Sequence, residues 1–139
     1  MKKLIFPCTE HEHPMFGKVT RPLIKLAFYS ERFQEWLNVK KVLVDTGADL
    51  SVIPLPLGQV LFSEIESGQP MQLGGILSSD LMINAFIHNV QAKIGDHIFE
   101  MPLAVSSSKT IPPILGRQQA LDRFIVSFIH GKELSLELN

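Results

Sequence analysis

Lys41-Val42-Leu43-Val44-Asp45-Thr46-Gly47-Ala48-Asp49-Leu50-Ser51 is the stretch on which the fold turns. Val42, Leu43 and Val44 form a short apolar run rich in β-branched side chains, the pattern of a strand covered on both faces. Gly47 ends it just after an acid and a hydroxyl. Asp45 is thereby predicted at a strand end, facing a cleft. Thr46 can fix the loop through its hydroxyl, Gly47 can let a second backbone approach, and Ala48 is too small to fill the cleft. The plainer alternative is a strand-to-turn corner with an ordinary Asp. A bare Asp-Thr-Gly favours that alternative, whereas the apolar lead-in and the Ala-Asp-Leu-Ser continuation favour the cleft.

Three further stretches fall in order around it: Arg21-Pro22-Leu23-Ile24, Leu73-Gly74-Gly75-Ile76 and Ile114-Leu115-Gly116-Arg117. Asp45-Thr46-Gly47-Ala48-Asp49 resembles the active-site motif of retropepsin-like aspartic proteases, the retroviral protease family and its cellular and bacterial relatives. In the same register the other three resemble that family's first strand, its flap and the segment before its single helix. The resemblance spans residues 19 to 124. It implies an all-β fold, a closed β-barrel or sandwich with a flap hairpin and one short C-terminal helix. It also implies an aspartic endopeptidase acting on extended, apolar-flanked peptides.

Peptide hydrolysis by an activated water needs one group to take the water's proton and another to protonate the departing nitrogen. One Asp45 cannot do both. Two carboxylates in contact cannot both ionise comfortably and share a proton, the aspartic-protease pattern that serves as a standard example of coupled acids. A two-fold homodimer would supply the second Asp45. By resemblance, Thr46 hydroxyls hold the two motif loops together and Gly47 faces substrate. Ala48, Asp49, Val52, Gly74, Gly75, Ile76, Pro112 and Ile114 bind substrate. Arg117 pairs with Asp49, and Arg21 approaches Asp49 from the other subunit.

At 139 residues with 45% hydrophobic content, the chain fits one domain with a real core and is too short for a tandem two-lobed enzyme. Its 13 basic and 14 acidic residues give a net charge of −1 without a basic tract. That disfavours nucleic acid or an anionic membrane surface as partner and leaves a peptide. Cys8 is the single cysteine, so no intrachain disulfide forms. Leu4-Ile5-Phe6 is too short for a signal-peptide core and no stretch matches a membrane span, so a soluble cytoplasmic protein is expected.

Residues 1 to 18 are expected as an irregular arm, with Pro7, Pro14 and Gly17 as breakers, ahead of a domain over 19 to 139. Cys8-Thr9-Glu10-His11-Glu12-His13 invites a metal reading, but a zinc site normally has four ligands and no second Cys/His cluster follows, so no metal or cofactor is expected. The arm is better read as solvated, lying along a dimer interface. Val19 to Tyr29 and Trp36 to Val44 read as a long hairpin with an extended loop between them. Pro54, Pro56 and Gly58 argue for a loop through Leu57. Gln69 to Leu73 and Leu81 to His88 flank the proposed flap tip, and a further hairpin turns at Gly95-Asp96. Gln118 to Phe124 reads as the helix, and residues 125 to 138 as a terminal hairpin.

Two other functions fit parts of this pattern. A catalytically inactive homologue that binds or dimerises would carry the same motif. Asp45 to Ser51 also resembles the phosphate-binding corner of an actin-like or sugar-kinase fold, an architecture that needs two large lobes.

Overall fold

The computed structural model describes residues 2–74 and 82–138. Its strands are β1 (Lys2–Pro7), β2 (Thr9–His13), β3 (Gly17–Arg21), β4 (Leu23–Ser30), β5 (Glu35–Val44), β6 (Ser51–Ile53), β7 (Gln69–Gly74), β8 (Met82–Ile94), β9 (His97–Ser106), β10 (Ile114–Leu115), β11 (Ile125–Ile129) and β12 (Glu133–Leu138). Among the described residues one α-helix, α1 (Leu55–Leu61), interrupts them. The chain is all-β, as expected.

Six strands close on themselves in the order β4-β5-β10-β6-β9-β8, and β8 returns to β4 through Ala27↔Lys93 and Phe28↔Ala92. Closure follows from two-residue alternation. Val90, Ala92 and Ile94 on β8 turn inward with Phe99, Met101 and Leu103 on β9, and meet Ile24, Leu26 and Phe28 of β4 in one core. The turn between β8 and β9 is Gly95-Asp96, where Gly95 has φ +62° and supplies the left-handed backbone a tight hairpin needs. Among the described residues β7 pairs only with β8, so β7 and the start of β8 extend from the barrel as an arm. Ile83 and Ala85 on that arm pack with Val52, Ala104 and Ile111 in a second, smaller core.

Several local expectations are corrected. The expected irregular arm over residues 1 to 18 is corrected for its described part, residues 2–18: β1 pairs with β12, and β2 pairs with β3. Leu4 and Phe6 pack against the main core from β1, whose only partner among the described residues lies at the far end of the sequence, so nothing local announced it. Pro7 is tolerated because it ends an edge strand. The extended loop expected between residues 30 and 36 is a tight turn, with Gln34 at φ 54°.

The segment read as a loop holds α1, whose prolines occupy the cap and first turn, where a missing N–H costs the helix nothing. The helix expected over 118 to 124 is only a 3-10 turn at Leu121–Arg123. Gln119 at φ 52° and Ala120 at φ −129°, ψ −95° break the helical path before it starts. The terminal hairpin forms as expected. β12 is the middle strand of a three-stranded sheet, β1-β12-β11, with Leu134 and Leu136 fully buried. Among the described residues no helix is long and apolar enough to cross a membrane.

Candidate active site

β5 carries the motif to its place. Val42 and Val44 are buried, and three backbone bonds clamp the strand end: Leu43 N–H to Pro113 O at 2.9 Å, Val44 N–H to Pro22 O at 3.0 Å and Asp45 N–H to Leu115 O at 3.0 Å. Asp45 is half-buried at this end, as the apolar lead-in predicts. The chain then turns, with Ala48 N–H bonded to Asp45 O at 3.2 Å. Gly47 N–H donates to Asp45 Oδ1 at 2.9 Å. That bond orients the carboxylate and leaves Oδ2 without a hydrogen-bond partner among the described residues. A Cβ at Gly47 would lie 3.3 Å from Oδ1, crowding the same oxygen.

Gly116 fixes the loop from below. Its N–H donates to the buried Ser51 Oγ at 2.9 Å. Arg117 N–H bonds Ala48 O at 2.9 Å, and Gln118 N–H bonds Asp49 O at 2.8 Å. A Cβ on Gly116 would sit 2.6 Å from Leu50 O and 2.9 Å from Ala48 O, so only glycine lets the two backbones cross. The expected side-chain pair between Asp49 and Arg117 is corrected: Arg117 Nε meets Asp122 Oδ1 at 3.3 Å, and the link to Asp49 runs through the backbone of Gln118. Arg21 ends β3 beside Pro22 and is exposed, with no ion pair among the described residues.

A cleft of about 650 Å³ opens over Asp45. Of the residues expected to bind substrate, Gly47, Ala48, Asp49, Val52, Gly74, Pro112 and Ile114 all line it. Thr46 is exposed beside it. Gly75 and Ile76 lie outside the described residues. The sequence reading missed Leu43, Leu50, Met71, Gln72, Leu73, Thr110 and Ile111, which also line the cleft. Met71 and Leu73 were findable: they alternate on β7 with Gly74 close behind. Thr110 and Ile111 come from a loop that only the folded chain brings to the motif.

The cleft is therefore mostly apolar, with Gln72 and Thr110 among its polar side chains and Asp45 and Asp49 as its acids. A larger cavity, about 960 Å³, lies behind the β8 arm between α1 and β9, with Arg32, Glu64 and Glu66 among its lining. It holds no strand-end acid oriented by a backbone N–H, so the smaller cleft is the better candidate for chemistry. Among the described residues no group of three or more His, Cys, Asp or Glu side chains could hold a metal ion.

No protein-family model matches the chain, and no curated protein matches it. Among solved structures, EIAV protease complexed with the inhibitor HBY-793 is similar at 24% identity, covering 76% of this chain and 86% of that chain with a TM-score of 0.49.

Proposed function

We propose that the protein is an aspartic endopeptidase that works as a homodimer, with Asp45 of each subunit meeting at a two-fold axis. The observation that carries this reading is the half-buried Asp45 carboxylate, oriented by Gly47 N–H at the floor of an apolar cleft. One carboxylate takes a proton from water as the oxygen attacks the peptide carbonyl carbon. The other, protonated, gives its proton to the amide nitrogen as the C–N bond breaks, and the pair returns to one shared proton. The product is a carboxylic acid and an amine, and no cofactor enters.

Thr46 of each loop sits beside the axis in this arrangement. The Gly47 carbonyl and the tip at Gly75 and Ile76 bind the substrate backbone. Ala48, Val52, Pro112 and Ile114 take its apolar side chains, Asp49 reads the backbone further out, and Arg21 and Arg117 support the loops. The free outer edges of the terminal sheet offer a surface for the second subunit.

Asp45→Asn keeps the shape and removes the ionisable group. It should abolish cleavage of a mixed peptide library, leaving thermal melting and assembly unchanged. Equal cleavage by mutant and wild type would end this reading. A wild-type chain that dimerises and never cleaves would instead support the inactive binding module.

A further inference from the structure

The start of β8 is a partition with a cavity on each side. Its residues alternate between two faces. Ile83 and Ala85 turn to the small core with Val52 and Ile111, which also line the cleft over Asp45. Asn84 and Phe86 line the larger cavity of about 960 Å³. Whatever fills that cavity therefore presses on the back of the wall that shapes the cleft.

The larger cavity is held open by contacts outside it. Gly58 sets α1 against β9, so close that a Cβ would come within 2.2 Å of a Val105 methyl. The 3-10 turn Ile65–Ser67 is fastened to β8: His88 Nε2–H donates to Ile65 O at 2.7 Å, and the His88 ring stacks on Phe62 with centroids 4.3 Å apart. Just after that turn, a Cβ on Gly68 would sit 2.6 Å from Ile87 O. The turn between β4 and β5 is tied to the end of α1 by Arg32 N–H to Leu61 O at 3.2 Å and Ser30 Oγ to Val60 O at 2.7 Å. The space so framed is near the top of the roughly 300–1,000 Å³ range of small-molecule sites, which are largely pre-formed.

The lining selects by shape and charge. Leu55, Phe62, Ile65, Phe86 and Val105 give it an apolar surface with two aromatic rings. Two acids, Glu64 and Glu66, stand against one guanidinium. That guanidinium is already engaged, since Arg32 Nη1 donates to Gln59 O at 2.7 Å and Cζ lies 5.1 Å from the Phe33 ring centroid. Glu64 and Glu66 are exposed, so they stand at the mouth, and neither enters an ion pair among the described residues. An apolar, aromatic interior with uncommitted carboxylates at its mouth suits a bulky ring that carries a positive charge.

We infer that this cavity is a second binding site, for an aromatic or bulky apolar organic cation, and that its occupancy is felt in the cleft through β8. The inference holds whether or not the cleft hydrolyses peptides.

The cationic dye aminoacridine should bind the full chain saturably. It should shift the amide resonances of Phe62, Phe86 and Ser107, with smaller shifts across the partition at Ile83, Val52 and Ile111. Anilinonaphthalene sulfonate, an aromatic anion of similar bulk, should bind about tenfold more weakly, the effect of one or two exposed charge contacts. Reversing those charges in the double variant Glu64→Lys, Glu66→Lys should leave melting unchanged and exchange the order of the two dyes. Asn84→Trp, which fills the cavity from β8, should exclude the cation in a folded chain. If either variant fails to fold, the wild-type shifts and the preference for cation over anion decide. Binding without saturation, an anion bound as well as the cation, shifts confined to other surfaces, or silence at Val52 and Ile111 overturns the inference. Shifts as expected, with peptide cleavage indifferent to Asp45→Asn, overturn the peptidase reading alone.

Discussion

Gly116 lies where the chain passes under the Asp45–Ser51 loop, with Leu50 O and Ala48 O closer than a side chain allows. Gly116→Ala should destabilise the fold by ~3 kcal/mol, because the obstructing atoms are backbone and cannot rotate away. Denaturant unfolding would measure it, and a loss under about 0.5 kcal/mol, the range of neutral surface changes, would contradict the crossing. Asp45 was legible in the sequence because everything that defines it is local: a β-branched run, an acid and a glycine within a few residues. The partner of Arg117 was not legible. Its choice of Asp122 over Asp49 follows from how the chain turns at Gln119 and Ala120, where left-handed and irregular backbone replaces the expected helix. That exposed pair should contribute only about 0.2–1 kcal/mol.

Among the elements, the terminal sheet carries one discordant group. Ser135 lies between Leu134 and Leu136 on β12, is 1% exposed, and its hydroxyl has no hydrogen-bond partner among the described residues. A buried hydroxyl left unpaired costs more than a methyl group in the same place. Ser135→Ala should therefore stabilise the fold by about 1 kcal/mol, seen as a rise of about 2–4 °C in melting temperature. A fall would mean that the hydroxyl is satisfied. The alternation at Val90 to Ile94, Phe99 to Val105 and Leu134 to Leu138 was readable from period alone, but Val90 to Ile94 belongs to the same strand as Met82 to His88 rather than to a separate one. α1 was not, because prolines in a first helical turn look from sequence like breakers. Its buried face is set by the contact of Gly58 with Val105, where a Cβ would come within 2.2 Å of the valine methyl. β1 escaped the reading because a strand whose partner is distant leaves no turn signal beside it.

At the scale of the molecule, the proposed chemistry needs two Asp45 carboxylates and each chain brings one, so in the proposed homodimer activity belongs to the assembly. Below the dissociation constant of the dimer, the total rate should rise with the square of protein concentration. A rate strictly proportional to concentration down to the monomeric range would contradict the shared site. The barrel itself was legible as a class through the motif resemblance, which implied an all-β closed barrel or sandwich. Its closure through β4 and β8 was not, because that seam joins residues with no local signal in common. The seam of the terminal sheet is more extreme: Lys2 pairs with Leu138, and nearly the whole chain lies between them. Contacts of such long sequence separation are costly to close early, so they form late in folding. β1 should therefore dock late, with Leu4 and Phe6 uncovered until β12 pairs with it, the interval in which misassociation is most favoured.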